Sequence, residues 1–339
     1  MHTFEDSKDS LRFVPFARVD QHDSERSHAD IRELAWLKVG TDYEWRVGIR
    51  KVFWGVAESQ HLVDIVNQTD VVENLDGEEK LGQPMVNLAL IRDWGTLDLF
   101  VLPYFRERTF VGAEGRLRSQ PRVDADQAAY GSAREQKHVD YAARWSKSWS
   151  GIDVGLSYFT GTSRDPRFAL GVDSVGAFVL VPYYELIHQT GVDIAAPLDA
   201  WLLKMEAIHR TGQGPSYYAS TTGFEYTLSG IFGTGMDLGI LAEYLYDDRR
   251  SRSLSPFQDD IMLGLRLALN DEQSSEVLVA IIDDRRSDAR FFSLEASRRL
   301  GNSWKLSVEA RAFAGIPETD PLFSMRRDDY VQLELARHF

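Results

Sequence analysis

From Asp42 the chain reads DYEWRVGIRKVFW, with Tyr43, Trp45, Val47 and Ile49 on one side and Glu44, Arg46, Gly48 and Arg50 on the other. A period of two sends successive side chains to opposite faces of an extended strand, which gives one apolar and one charged face. Wound as a helix, the same residues would scatter charge around the whole surface. The pattern returns in Trp201, Leu203, Met205 and Ala207 against Lys204 and Glu206, and in Val139, Tyr141, Ala143 and Trp145 against Asp140 and Arg144. From Trp304 it sets Leu306, Val308, Ala310 and Ala312 against Lys305, Ser307, Glu309 and Arg311. It is less clean around Leu238–Tyr246, where Leu241 and Leu245 fall among the polar positions.

A soluble antiparallel sandwich alternates too, but its strands average about 5–6 residues. The candidates here run about 9 to 12, close to the length a tilted strand needs to cross a bilayer. The expected fold is therefore all-β: a transmembrane, antiparallel, up-and-down β-barrel of about sixteen strands, with fourteen to eighteen as the range. The strands are expected at 11–19, 31–39, 43–54, 85–92, 96–106, 137–147, 151–160, 190–197, 200–210, 217–228, 235–247, 258–269, 275–285, 289–299, 303–314 and 329–339. One domain, 1–339, follows. Short connections such as Gly40–Asp42, Asp93–Gly95 and Leu300–Asn302 alternate with long ones such as 55–84, 107–136 and 161–189. Outer-membrane barrels share that asymmetry, with tight periplasmic turns and long outer loops. Six of the eight tryptophans, Trp45, Trp94, Trp145, Trp149, Trp201 and Trp304, sit at or near short turns, where an interfacial girdle belongs.

Composition narrows the function. A net charge of −14 argues against general nucleic-acid binding, which needs a basic face to displace counterions. The chain has no cysteine, which removes disulfides, thiolate metal sites and cysteine nucleophiles. No G-x-S-x-G, H-E-x-x-H or phosphate loop is present, and the eight histidines lack metal-ligand spacing. No enzyme activity, cofactor or metal is expected. Met1–Ser10 is acidic and polar without a signal-peptide pattern; an outer-membrane location then implies numbering from a processed chain.

The segment Val47–Asn67, VGIRKVFWGVAESQHLVDIVN, resembles porin-like outer-membrane proteins of Gram-negative bacteria. Its matching positions are Trp54 and Gly55 at a strand end, then Glu58, Asp64 and Asn67 in the following loop. The terminal strand, with Val331, Leu333, Leu335 and Arg337 alternating up to Phe339, resembles the C-terminal β-signal of such proteins, with Arg337 standing where an apolar residue is usual. The resemblance implies a passive channel for small solutes, in contact with lipid bilayer and lipopolysaccharide. The alternative is a plugged structural or assembly barrel that binds a partner through its loops. Solute identity and oligomeric state stay open.

The charged faces give the expected lining. Glu44, Arg46 and Arg50 form one inward row; Lys305, Glu309 and Arg311 form another; Lys204 and Glu206 lie between. The loop 55–83 carries Leu62, Val63, Ile65, Val66, Val71 and Val72, which a loop in water has little reason to keep. Folding inward would bury them and present Glu58, Asp64, Asp70 and Glu73 to a passage; the alternative is an external lid or a partner contact. Leu180–Gln189, with Pro182, Tyr183 and Tyr184, is a second candidate inward segment, whose aromatic rings serve either as a surface for a solute to slide along or as packing.

Overall fold

The computed structural model describes residues 2–3, 9–74 and 76–339. Sixteen long strands make up the main sheet: β1 Asp9–Arg18, β2 His28–Val39, β3 Tyr43–Arg50, β4 Gln83–Arg92, β5 Gly95–Leu102, β6 Asp140–Trp149, β7 Ile152–Thr162 and β8 Leu186–Leu198. They continue as β9 Trp201–Gly212, β10 Gly214–Leu228, β11 Asp237–Asp247, β12 Asp259–Ala268, β13 Glu276–Asp284, β14 Arg290–Leu300, β15 Trp304–Ala314 and β16 Tyr330–Arg337. Sequence neighbours pair antiparallel, so the fold is all-β with the strand order of an up-and-down β-barrel. Each expected strand has its counterpart. Two connections break the alternation of short and long: Gln213 alone joins β9 to β10, and Arg285–Ala289 joins β13 to β14.

The chain divides into two compact units. The first comprises residues 1–56, 60–194 and 206–218. Its hairpins run from β1 to β7, and β7 also pairs with β8. Between β1 and β2 the register slips: Val14 faces Glu33, but Pro15 faces Ile31. Arg32 is thus the extra residue of a bulge at a proline that has no N–H to give the ladder. The polar face is buried and the apolar face is not. Arg32, Asn87, Asp140, Asp193, Glu206 and Arg210 are all buried, while Trp45, Val47, Leu99, Val101, Tyr141 and Leu156 are exposed.

The second unit comprises 57–59, 195–205 and 219–339, with hairpins from β10 to β16. The same inversion holds. Leu263 and Leu265 of β12 are 54% and 48% exposed, whereas Arg311 of β15 is 3% exposed. Leu241 and Leu245 join a cluster with Met262, Leu278 and Ile282 on the otherwise polar face, which is why β11 alternates poorly.

Three differences from the sequence reading have local causes. β3 stops at Arg50 instead of 54, because the next N–H groups turn to loop side chains: Val52 to Asn67, and Trp54 and Gly55 to Asp64. β5 stops at Leu102, before Pro103. Inside the long connections, Arg167–Val172 and Phe178–Tyr184 form a hairpin that Ala129–Tyr130 joins in parallel. Leu180–Gln189 is therefore divided between this small sheet and β8. Tyr184 is fully buried, against Phe105 and Tyr130 at 4.9 and 5.8 Å between ring centroids, so it packs and offers no sliding surface.

Gly48 tests the tight β2–β3 contact. Its φ is +132°, and a Cβ there would lie 2.0 Å from the Leu34 carbonyl oxygen. Gly48→Ala should cost at least the order of 1–3 kcal/mol typical of a backbone confined to glycine space. Urea titration of the refolded protein should show a lower midpoint; an unchanged midpoint would contradict this packing.

Candidate functional site

In the first unit, Glu44, Arg46 and Arg50 share one face of β3, as expected. Arg46 is ion-paired with Glu44 and lies 3.5 Å from Asp98. The Nη1 groups of Arg46 and Arg50 both donate to Asn87 Oδ1 at 3.1 Å, while Asn87 Nδ2 donates to Asp98 at 3.0 Å. Two guanidiniums thus converge on a single amide oxygen, with carboxylates on one side of them.

The connection after β3 is held against strand-borne polar groups. Asn67 ties its two ends together: Oδ1 accepts from Val52 N, and Nδ2 donates to the carbonyls of Arg50 (2.7 Å) and Leu81 (2.9 Å). Asp64 accepts from Trp54 N at 2.6 Å and Gly55 N at 3.1 Å. Glu206 of β9, fully buried, accepts from Val56 N at 2.7 Å and Val63 N at 3.1 Å. Arg164 donates to the Val66 carbonyl at 2.9 Å and to Asp140 at 2.7 Å, beneath the rings of Phe105 and Phe159. Asp70 is fully buried between Arg32 and Thr109, each at 2.6 Å. Val63, Ile65, Val66 and Val72 are buried as well.

His61 stands between Glu78, its hydrogen-bond partner, and Glu206, whose Oε1 is 3.7 Å from Nδ1, ion-pair distance rather than a hydrogen bond. Burial disfavours the imidazolium, but the two carboxylates outweigh it and push its pKa up to about 10.

In the second unit, Glu243 of β11 accepts from Glu58 N (2.7 Å), Ser59 N (2.9 Å) and Ser59 Oγ (2.5 Å). The Glu58 side chain meets Arg266 at 2.7 Å and Lys204 at 3.4 Å. Arg266 also reaches Glu276 at 2.7 Å and Glu225 at 3.4 Å, one guanidinium shared by three carboxylates. On β15, Arg311 pairs with Glu295 at 2.6 Å and lies 3.7 Å from Glu309, which accepts from Tyr330. Lys305 is exposed near the turn.

The expected lining residues thus fall into three groups. Glu44, Arg46, Arg50, Glu58, Lys204, Glu309 and Arg311 sit in charged networks on the polar face, with Lys305 at its end. Asp64 and Glu206 spend their carboxylates on loop backbone. Asp70 is shut away from solvent altogether. Three residues with as large a part lie outside that set: Arg164 and Arg32, whose side chains bond across the loops, and Glu243, which accepts from Glu58 and Ser59.

No family model and no curated protein matches the chain. Among solved structures, Pseudomonas aeruginosa OccK8 (OprE) is similar at a TM-score of 0.48 and 10% identity, over 92% of this chain and 80% of that one. A likeness at that level carries no functional argument.

The His61 contacts give a pH dependence with a definite sign. Its pKa is higher folded than unfolded, so the stabilisation is full below about 6.5 and is lost as pH rises through about 10. Hydrogen exchange at residues 56–63 should quicken between pH 8 and 11 beyond the intrinsic base-catalysed rate. In His61→Gln that excess should vanish; if it persists, His61 is not its source.

Proposed function

We propose that this chain spans the outer membrane of a Gram-negative bacterium as a closed sixteen-strand β-barrel and passes small solutes down their gradient. The observation that carries the reading is an inversion of polarity along the strands of both units: Trp45, Val47, Leu263 and Leu265 are exposed, whereas Asp140, Asp193, Glu206 and Arg311 are buried. A water-soluble protein rarely exposes such contiguous apolar surface, whereas a lipid-facing wall requires it. Lipid and lipopolysaccharide are the surroundings of that wall, and the buried charges then border an aqueous interior. Thirteen of the sixteen strands are nine residues or longer, the length a tilted spanning strand needs, and most connections alternate between short and long as in outer-membrane barrels.

In this reading the 51–82 connection narrows the passage, and the networks around Arg46 and Arg266 set its field. Mixed charges in both networks favour a weakly selective path over a strongly anionic or cationic one.

A plugged barrel is favoured by one observation: the loop is clamped by many buried polar contacts and the apolar Leu241 cluster occupies part of the polar face. Planar-bilayer recording of the purified protein separates the two readings. An open-channel current is expected, and deletion of 60–75 should enlarge it. Silence from protein whose folding is verified by heat-modifiable migration would favour the plug. Unchanged conductance in the deletion variant would place the constriction elsewhere.

A further inference from the structure

We infer that His28, Asp70 and Glu73 form a binding site for a divalent transition-metal ion such as Zn²⁺, joining the start of β2 to the loop after β3. One imidazole nitrogen of His28 and one carboxylate oxygen from each acid lie within 4.8 Å of one another. The arrangement of their hydrogen bonds points the same way. His28 Nε2 and Glu73 Oε1 are buried and have no hydrogen-bond partner among the described residues, and Asp70 Oδ2 is ion-paired with the Arg32 guanidinium. The second polar atom of each residue, by contrast, is engaged. His28 Nδ1 lies 3.2 Å from the Arg26 carbonyl, Asp70 Oδ1 accepts from Thr109 at 2.6 Å, and Glu73 Oε2 pairs with Arg18 at 2.9 Å.

This is the outer-shell pattern of a metal site. A histidine that donates Nδ1–H to a carbonyl presents an unprotonated Nε2 to a metal, and bonded carboxylates hold their free oxygens in place. One imidazole with two carboxylates suits Zn²⁺, Co²⁺ or Mn²⁺ better than Ca²⁺, which takes oxygen ligands. Ligand atoms around tetrahedral zinc are roughly 3.4 Å apart, so modest side-chain rotations would close the set.

Arg32 is the competitor. Its Nη2 lies 2.6 Å from Asp70 Oδ2 and 4.0 Å from Glu73 Oε1, so one guanidinium stands where the ion would bind. Asp30, 3.4 Å from Arg32, is the carboxylate to which it withdraws. An entry route adjoins the site. Thr109, which bonds Asp70, and Ser27, next to His28, line a cavity of about 730 Å³. Its wall includes Asp20, Asp23, Glu25, Glu114, Asp124 and Asp126. Its arginines, Arg108 and Arg122, are paired with Asp165 and Asp173. The cavity therefore attracts cations toward the three ligands.

The test uses tag-free, full-length protein refolded in detergent without lipopolysaccharide, whose phosphates would bind metal themselves. Zn²⁺ titrated by calorimetry should bind one ion per chain, and Co²⁺ should develop visible bands of low coordination number. His28→Gln and Asp70→Asn should each weaken binding about 10- to 100-fold, as loss of a ligand or its support does. His22→Gln, in the cavity wall, should change it little. Arg32→Gln should tighten it several-fold, an effect opposite in sign to any loss of structure. If Asp70→Asn fails to fold, His28→Gln and Arg32→Gln decide the matter. Wild-type affinity in both, or no stoichiometric binding by the parent protein, would overturn the site. Channel activity does not enter the readout.

Discussion

Alternation forces hydrocarbon and charge onto opposite faces of the same strands, and the charged face must then satisfy itself away from bulk water. A buried carboxylate without donors is costly. This chain supplies them in two ways. Where strands carry both signs, side chains pair across the sheet, as Arg46 does with Asp98 and Arg144 with Asp193, the latter through a second contact of 2.7 Å. Where a strand presents a carboxylate in excess, loop backbone supplies the donors: Val56 and Val63 to Glu206 in one unit, Glu58 and Ser59 to Glu243 in the other. The path of the loop thus follows from the strands' charge pattern.

The strands were legible because their signal is local. Trp45–Ile49 or Trp304–Ala312 needs only its own neighbours to declare a two-faced strand, and Trp201–Ala207 was found the same way. Their ends were less legible, since an end depends on what competes for the last N–H groups. At β3 the competitors are Asp64 and Asn67, more than ten residues downstream. The bulge at Arg32 was invisible for the same reason. A proline in the opposite strand shifts the register there, and nothing within β2 announces it.

Within the candidate site, alternation could say which side a residue faces but not what meets it there. Glu44 and Glu206 read alike in the sequence, yet one is ion-paired on a part-exposed face and the other is buried under loop backbone. Asp70 looked like an acid offered to a passage because the loop's apolar residues implied inward folding. Four of them, Val63, Ile65, Val66 and Val72, are buried, and Asp70 is buried as well. His28, Asp70 and Glu73 escaped a search for ligand spacing because the fold, not the sequence interval, brings 28 and 70 together.

Magnitudes indicate what keeps the loop in place. If it swung away, water would reach Glu206, and each lost hydrogen bond would be exchanged for one to solvent at a net cost of about 0.5–1.5 kcal/mol. Exposing Val63, Ile65, Val66 and Val72 has no such compensation. Fully buried aliphatic side chains contribute about 1.5–3 kcal/mol each, on the order of 6–12 kcal/mol for the four. The valines and isoleucine therefore hold the loop, while the carboxylates fix its register along the wall. A loop anchored this way is a fixed element and not a freely swinging lid, and any control over it must act at a few discrete ties such as the one joining Asp70 and Glu73 to β2.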